Sequence, residues 1–252
     1  MRRLPRRLGY GEEATLVEHL DELRSRLIVS IGSVAVFLPV TYLFHEHLVE
    51  WLLKPLPEDR HVVTLGVTEP FTTSLKVSFY AALALAFPVL VWQAWSFLAP
   101  AMEAGRQRII RWFVALASGL FALGMAFAYF VILPPALQFL ANYDSNLYEI
   151  QIRASYYLSF VSLLIFATGL VFQLPIFVIA LVRIGILTTT QLRRNRRMAY
   201  VIMLGAAILL PTVDPVSLVF EVAPLWILFE LSIWLSVLLE RRWAATGALV
   251  TE

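Results

Sequence analysis

The chain has 252 residues, of which 60% are hydrophobic and 15% charged, and it carries a formal net charge of +2. Apolar runs of about 18 or more residues recur along it, and a run of that length crosses a hydrocarbon core about 30 Å thick. This composition excludes a soluble globular domain and predicts a polytopic membrane protein. The chain contains no cysteine, which excludes a disulfide framework, thiolate chemistry and a cysteine metal site.

The N-terminal region is polar and basic before the apolar part of the chain begins. We interpret residues 1–15 as a flexible cytosolic tail. About twenty residues, many of them acidic, separate Arg7 from the first apolar run, so the region does not have the layout of a signal peptide.

The segment that follows the tail repeats leucine at three- and four-residue steps, at Leu16, Leu20, Leu23 and Leu27. This spacing predicts a short amphipathic helix on the membrane face. The side chains predicted to look toward water are Glu18, Asp21, Glu22, Arg24 and Arg26. On pattern alone the segment is either a solvated lead-in to the first span or a surface on which carboxylates meet a basic guest.

Six membrane spans are predicted in chain order. Their approximate bounds are 27–44, 70–97, 109–133, 155–183, 199–210 and 216–239. Pro39 is expected to bend the first span, and Pro134 with Pro135 to end the third. The loop from His45 to Glu69 is expected to hold a short amphipathic piece around Trp51 and an extended segment at 62–65.

The distribution of basic residues predicts the orientation. Fifteen arginines fall on one side: six before span 1, three after span 2, four after span 4 and two after span 6. The opposite loops hold only Lys54, Arg60 and Arg153. Because cytoplasmic loops are enriched in Lys and Arg, both termini are predicted to be cytosolic.

Several polar side chains fall within the predicted spans. Gln173 lies two residues before Pro175, which frees the carbonyl of Val171 and weakens that turn. Glu221 and Glu230 lie in span 6, where a carboxylate at depth usually faces the protein interior or a partner. Glu230 is close enough to the cytosolic end to reach the surface or pair with a base. Each polar group is either a satisfied interhelical hydrogen bond or a functional group.

Motifs of bond-making chemistry are absent. No stretch reads GxxxxGK[ST], HExxH or GxSxG. His45 and His47 stand two residues apart, which is not one face of a helix, so they do not form a metal site. We therefore expect no enzyme activity, no cofactor, no metal and no nucleic-acid partner.

Together these residues resemble the TatC family, the multispanning core subunit of the twin-arginine protein translocase. The resemblance covers about residues 16–242. Its motifs are His19-Leu-x-Glu-Leu-Arg24, Phe71 with Lys76, Trp95-x-Phe97-x-Ala-Pro100, Phe127-Ala-Tyr129-Phe with Pro134, Phe172-Gln-x-Pro175, the arginine-rich loop ending at Tyr200, and Asp214.

The resemblance implies an all-α membrane protein of the prokaryotic plasma membrane, with six spans, cytosolic termini and short helices 5 and 6. It implies recognition of twin-arginine signal peptides on folded cargo, and export driven by the proton-motive force with TatA- and TatB-type single-span partners, several copies per complex. The domain organisation expected is a tail at 1–15, a membrane domain at 16–242 and a C-terminal tail at 243–252.

The resemblance and the polar residues within the predicted spans together give two sets of expected site residues. The signal-peptide set is His19, Asp21, Glu22, Arg24, Phe97, Pro100 and Glu103. The intramembrane polar set, expected to meet partner helices, is Gln173, Thr212, Asp214, Glu221 and Glu230. Glu221 lies outside the family's pattern. A guanidinium binds a carboxylate through a planar two-point hydrogen bond that lysine cannot copy, which suits Glu22 as the residue that reads arginine.

The chain departs from the family in two places. The second docking glutamate of the family falls at Arg106, and the nearest acid is Glu103. Either Glu103 substitutes for it, or docking rests on Glu22, Asp21 and Glu18. The buried position often filled by glutamate is Gln173 here, which suggests hydrogen bonding without proton transfer.

Two functional classes other than a translocase receptor would use the same polar residues differently. A small-solute secondary transporter would use Gln173, Glu221 and Glu230 as a central site, but the chain shows no internal repeat and no matching pair of broken spans. A structural scaffold would use its acids only for surface solvation.

Overall fold

The computed structural model describes residues 16–57, 60–98, 107–143, 147, 150–183, 185–208 and 214–245. Ten α-helices and two short strands are described. The helices are α1 (Leu16–Leu43), α2 (His45–Leu53), α3 (Glu69–Leu98), α4 (Gln107–Phe127), α5 (Leu133–Asn142), α6 (Ala154–Val171), α7 (Leu174–Arg183), α8 (Thr189–Arg194), α9 (Arg196–Ile208) and α10 (Pro215–Ala245). A π-helical turn, Ala128–Ile132, joins α4 to α5.

Five helical stretches of the described residues are long and apolar enough to cross a membrane. They are Leu20–Leu43, Glu69–Phe97, Arg111–Asn142, Ala154–Arg183 and Pro215–Glu240. The predicted all-α membrane class is confirmed. The predicted fifth span corresponds to α9, which has 13 residues and is about 20 Å long at about 1.5 Å per residue. It is short, as expected.

The chain divides into two compact units. Unit 1 contains residues 1–44 and 78–119, and unit 2 contains residues 45–77 and 120–252. In unit 1, the Thr41 hydroxyl donates to the carbonyl of Ser78 at 2.8 Å. This buried bond joins α1 to α3. A hydroxyl within an apolar span is stabilised when it donates to a backbone carbonyl on a neighbouring helix.

The core of unit 2 lies where α2, the π-helical turn and α6 pack together. Its fully buried side chains include Ile132, Leu133, Val161 and Leu164. Beside this core, β1 (Val62–Val63) pairs in parallel with β2 (Ile152–Arg153), with Val62 opposite Ile152. The extended segment predicted at 62–65 is confirmed for two of its residues, and its partner strand was not predicted.

The lead-in segment does not form a separate helix on the membrane face. It is the first part of α1, which runs unbroken from Leu16 to Leu43. No proline or glycine stands between Leu16 and Ile31, so nothing in the sequence ends the helix there. The prediction of a short surface helix was wrong at this point. The predicted tail at 1–15 lies outside the described residues.

Pro134 and Pro135 do not end the third span. They occupy the first turn of α5, and the helical path continues from α4 through the π-helical turn to Asn142. Proline lacks an N–H and its ring clashes with the carbonyl four residues earlier. In the widened turn before Pro134, Leu133 bonds the carbonyl of Ala128, five residues earlier. The extra residue in that turn accommodates the two prolines without a break.

Helix 6 is not short. It corresponds to α10, which has 31 residues. Its apolar sequence continues without a glycine from Pro215 to Glu240, and Pro224 is tolerated inside it. The expectation of a short sixth helix was therefore wrong.

The weak turn predicted in span 4 is present. Residues Phe172–Gln173 form a non-helical turn between α6 and α7.

Candidate functional site

Glu22 and Arg26 form an ion pair on the first turns of α1. They stand four residues apart and therefore on one face. Arg26 donates through Nε to Glu22 Oε1 at 3.2 Å, and through its terminal nitrogen to the same oxygen. The other oxygen, Oε2, is buried and has no hydrogen-bond partner among the described residues. The Glu22 side chain is 17% exposed. One of the two carboxylate oxygens therefore lacks a hydrogen-bond donor among the described residues.

The structure does not gather the whole predicted signal-peptide set around Glu22. Asp21 and Arg24 are exposed, and successive helical positions about 100° apart place them on other faces of α1. His19 belongs to α1, and its side chain is not among those described. Phe97 lies half-buried near the end of α3. Pro100 and Glu103 lie outside the described residues, as does Arg106.

The end of α3 and the start of α4 are held together by aromatic packing. The rings of Trp95 and Phe113 lie with centroids 4.7 Å apart and planes inclined by 56°. Such tilted pairs contribute about 0.5–1.5 kcal/mol beyond their buried area. This contact fixes the two helix ends that flank the predicted Pro100 and Glu103 segment.

Gln173 lies at the break between α6 and α7. Its N–H donates to the carbonyl of Leu170, and its own carbonyl accepts from the N–H of Phe177, both at 3.0 Å. Pro175 follows within the first turn of α7 and cannot donate to the carbonyl of Val171. The side chain of Gln173 is half-buried. The amide is therefore presented at a local bend in the span.

Asp214 caps the N-terminus of α10. Its Oδ1 accepts the N–H of Ser217 at 2.7 Å, which satisfies one of the donors that a helix start leaves open. The side chain is buried, as is that of Glu221 two turns further along the helix. Thr212 lies outside the described residues. In this part of the set, Asp214 has a clear structural role.

Glu230 joins α10 to α9. Its carboxylate accepts the hydroxyl of Tyr200 and lies 3.4 Å from Nη2 of Arg196. The prediction that Glu230 pairs with a base is confirmed. Tyr200 also packs its ring against Trp226 and Phe229. The carboxylate is thus an interhelical contact that holds the short helix α9 in place.

Comparison with known proteins decides the family. A family model described as Sec-independent protein translocase protein (TatC) matches residues 18–224. This chain belongs to the TatC family. The resemblance drawn from the motifs is confirmed.

Relatives and solved structures agree with this assignment. TatC of Magnetococcus marinus is 35% identical over 96% of this chain and 90% of that protein. TatC of Escherichia coli strain K12 is 35% identical over 88% and 87%, and TatCd of Bacillus subtilis 32% identical over 92% and 95%. The crystal structure of the twin arginine translocase receptor TatC has a TM-score of 0.76 at 34% identity, covering 87% of this chain and 98% of that one.

Family membership makes the chain a component of the twin-arginine translocase and a multi-pass membrane protein. TatC is a protein translocase family and not a family of catalytic enzymes.

The structure of this TatC-family chain also contains a buried carboxylate that sequence reasoning missed. Glu69, at the start of α3, is 5% exposed and accepts four N–H groups. They come from Leu65 at 2.9 Å, Gly66 at 3.3 Å, Arg153 Nε at 2.9 Å and Ser155 at 3.1 Å. The Glu69 carboxylate raises the pKa of Arg153, so the guanidinium stays charged. The signal in the sequence was an acid directly before Pro70. Its partners Arg153 and Ser155 are distant in sequence, so the carboxylate's bonds could not be predicted.

A second missed group in the TatC-family fold surrounds α2. Tyr129 stacks on Trp51 with ring centroids 3.9 Å apart, and its hydroxyl donates to the carbonyl of Trp51 at 2.9 Å. The Tyr157 hydroxyl donates to the carbonyl of Leu52 at the same distance. The Trp51 carbonyl also accepts the N–H of Lys54 at 3.3 Å, and the two tyrosine hydroxyls add donors to carbonyls in the last turn of α2. Tyr129 appeared in a family motif, but its contact with α2 depends on the fold.

Proposed function

We propose that the chain is the receptor subunit of the twin-arginine translocase, and that Glu22 docks the paired arginines of signal peptides on folded cargo. The observation that supports this is that only one of the two Glu22 carboxylate oxygens is hydrogen-bonded among the described residues. Arg26 occupies Oε1, while the buried Oε2 has no hydrogen-bond partner among the described residues. An incoming guanidinium supplies the missing donor.

The half-buried setting of Glu22 gives the contact its strength. An exposed ion pair contributes only about 0–1 kcal/mol, whereas a hydrogen bond to a charged group away from water contributes about 1.5–3 kcal/mol. A guanidinium carries five N–H donors and can bond Oε2 of Glu22 together with a second acceptor, whereas a lysine ammonium is a compact and strongly hydrated point charge. Asp21, Arg24 and His19 on α1, with Phe97, Pro100 and Glu103, are proposed as further contacts of the signal peptide. Asp21 and Arg24 lie on other faces of α1, so they are proposed to meet parts of the peptide other than the arginine at Glu22.

We place the protein in the prokaryotic plasma membrane with six spans, α9 being the fifth, and with both termini in the cytosol. The support is the excess of arginine in the loops on one side, which follows the positive-inside rule. Residues 16–242 form the membrane domain, with short cytosolic tails at 1–15 and 243–252. In this orientation the Glu22 end of α1 faces proteins waiting to be exported.

Export itself is proposed to need TatA- and TatB-type single-span partners, several copies of the complex and the proton-motive force. Polar groups within the membrane associate helices by hydrogen bonding. Gln173, half-buried at the break between α6 and α7, is the group proposed to meet a partner helix. The other polar residues proposed for this role are Thr212, Asp214, Glu221 and Glu230.

Cross-linking tests the docking role directly. The chain has no cysteine, so a single introduced cysteine carries a photo-activated cross-linker without background. Leu20, 63% exposed and two residues before Glu22 on α1, is the test position, and Leu65, 72% exposed in the loop before α3, is the matched control. The full-length protein in lipid nanodiscs is exposed to a signal peptide with two arginines or with two lysines.

We expect an adduct at L20C with the twin-arginine peptide only, and none at L65C. A solute carrier or a scaffold gives no adduct that depends on the two arginines. Equal adducts with the arginine and lysine peptides at L20C contradict the proposal.

A further inference from the structure

Unit 2 is built around two clusters of buried hydrophobic side chains. The first cluster packs α2, the π-helical turn, α5 and α6 together, and the second packs α7, α8, α9 and α10 together. We call these two groups of elements the first body and the second body. In the described part of the chain, the first body precedes the turn Phe172–Gln173 and the second body follows it. The chain therefore passes between the two bodies once, at the break in span 4.

Hydrogen bonds tie the elements of the first body to one another. The hydroxyls of Tyr129 and Tyr157 donate to carbonyls of α2, each at 2.9 Å. Arg60, in the segment after α2, donates through Nη2 to the carbonyl of Ala141 near the end of α5 at 3.2 Å. The π-helical turn, α5 and α6 are thus all linked to α2 or to the segment that follows it.

The second body is held together by contacts of its own. Glu240 of α10 accepts the hydroxyl of Thr189 of α8 at 2.6 Å. Glu230 of α10 accepts the hydroxyl of Tyr200 and lies 3.4 Å from Nη2 of Arg196, both on α9. Buried side chains of α7 complete the core of this body. A change in the angle between the bodies would leave these contacts intact.

The backbone between the bodies lacks the regular bonding of a helix. The N–H of Gln173 donates to the carbonyl of Leu170, only three residues earlier, at 3.0 Å. Pro175 has no N–H to donate to the carbonyl of Val171. Helical bonding resumes where the N–H of Phe177 donates to the carbonyl of Gln173 at 3.0 Å. The turn can therefore bend at a lower cost than the interior of α6 or α7.

The side chain of Phe172 fixes the position of the bend on the first body. It is 5% exposed, and its ring lies with its centroid 5.6 Å from that of Phe127, at an angle of 39° between planes. A Cβ built at Gly124 would lie 2.7 Å from Cγ of Phe172, so the ring packs directly on the backbone of α4. Phe127 packs in turn against the core of the first body. The chain is thus held up to Phe172, and its freedom begins at the next residue.

We propose that Phe172–Gln173 is a hinge about which the second body tilts against the first. Hinge motion needs two parts that keep their own packing and a few residues between elements that absorb the change in φ and ψ. α10 also lies beside α5 and the π-helical turn, so the tilt includes a small sliding of these helices. Because Gln173 lies in the hinge, the tilt changes how its side chain is presented. The inference depends neither on a partner helix at Gln173 nor on signal-peptide docking by Glu22.

Distances between pairs of spin labels, measured by pulsed electron paramagnetic resonance, test the hinge. The chain has no cysteine, so introduced cysteines carry the labels without background. Leu163 on α6 and Trp234 on α10 are exposed and form the pair between the bodies. Glu50 on α2 with Leu163 reports on the first body alone, and Phe177 on α7 with Trp234 on the second alone. Each control pair shares one label site with the test pair.

The full-length protein is measured in lipid nanodiscs. We expect the distance distribution of the pair between the bodies to be about twice as wide as that of either control pair, because tilting adds to label motion only there. Pro175→Ala restores an N–H that can donate to the carbonyl of Val171 and removes the ring that disrupts the helix. We expect it to narrow the distribution between the bodies about twofold, to the width of the control pairs.

The matched control variant is Pro224→Ala, which replaces a proline inside α10 and within the second body. We expect it to leave the widths of all three distributions unchanged.

Three results overturn the proposal. They are equal widths for the three pairs in the unchanged protein, an undiminished width between the bodies in Pro175→Ala, and a narrowing in Pro224→Ala as large as in Pro175→Ala. The first comparison needs no proline variant, so it decides the question even if Pro175→Ala does not fold.

Discussion

Arg153 donates its Nε–H to Oε1 of Glu69 at 2.9 Å, although the two residues lie 84 positions apart in the chain. The same oxygen accepts the N–H of Ser155, and Oε2 accepts from Leu65 and Gly66. One carboxylate thus fastens the loop before α3 to the start of α6. Such a group is costly to leave buried with fewer donors, because each lost bond leaves a desolvated polar atom.

Glu69→Gln is expected to loosen this junction. The amide keeps a single acceptor oxygen and introduces an N–H₂ group among four donors, so the bonds to Oε1 and Oε2 cannot all survive. Hydrogen exchange at the amides of Leu65, Gly66 and Ser155 should become faster. Glu50→Gln, which removes the same charge from the exposed side of α2, should leave exchange at these amides unchanged. Unaltered exchange in Glu69→Gln would show that the carboxylate does not hold the loop before α3 to the start of α6.

Gly124 and Gly119 lie on the same helix, and alanine is expected to have opposite effects at the two positions. A Cβ at Gly124 would lie 2.7 Å from Cγ of Phe172 and 3.0 Å from the backbone of Gly169, whereas at Gly119 it would meet nothing within 4 Å. Gly124→Ala should destabilise the protein by about 1–3 kcal/mol through overpacking. Gly119→Ala should be neutral or stabilise it by up to about 1 kcal/mol, because alanine favours a helix interior.

Thermal unfolding of the two variants in detergent, followed by circular dichroism, checks the sign of each effect. If both alanines lowered the unfolding temperature equally, the close approach of α4 and α6 at Gly124 would not be the cause.

Tyr129→Phe is expected to lower the free energy of unfolding by about 1 kcal/mol, the usual net contribution of one hydrogen bond. The variant keeps the ring that stacks on Trp51 but removes one of the two donors to the carbonyl of Trp51, which also accepts the N–H of Lys54 at 3.3 Å. Tyr143→Phe removes a hydroxyl from an exposed tyrosine and serves as the control. Equal stability of the two variants in denaturant titrations would argue against a role for the Tyr129 hydroxyl.

Asp214 is expected to act at the start of α10 as a cap. Asp214→Ala should cost about 1 kcal/mol and speed hydrogen exchange at the amide of Ser217, since that N–H loses its acceptor. Asp214→Asn retains an oxygen in the same place and should restore most of the protection. If the asparagine variant behaved like the alanine variant, the charge and not the cap would be the important property.

Glu22→Ala is expected to weaken binding of a twin-arginine peptide about tenfold to a hundredfold, as loss of a hydrogen bond to a charged group implies. Asp21→Ala removes the same charge from an exposed neighbour and should have a smaller effect. Arg26→Gln should strengthen binding severalfold, because it frees the oxygen that Arg26 now occupies. Titration of a fluorescent peptide into nanodiscs measures all three. Weaker binding in Arg26→Gln would mean that Arg26 positions Glu22 for the guest.

Much of this protein follows from the sequence alone. The membrane class, the long spans, the short helix α9, the amphipathic piece that becomes α2 and the weak turn before Pro175 were all predicted. These features depend on local properties: the length of an apolar run, the helical period of leucines and the missing N–H of proline. The TatC resemblance was likewise readable from short motifs.

Local signals were misleading where a neighbouring element changes their effect. Pro134 and Pro135 end a helix in isolation, but the π-helical turn before them lets it continue. The change of polarity before the first span favours a separate helix, but α1 continues through it, because backbone continuity does not depend on polarity.

The tertiary structure alone decided which distant groups meet. Glu69 with Arg153, Tyr129 with Trp51, and Glu230 with Tyr200 and Arg196 are pairs whose members look unrelated in the sequence. The same holds for Oε2 of Glu22, which has no hydrogen-bond partner among the described residues. The sequence shows the carboxylate but not which of its oxygens are bonded. Hydrophobicity and helix period are properties of a segment, whereas a hydrogen-bond partner depends on how segments pack.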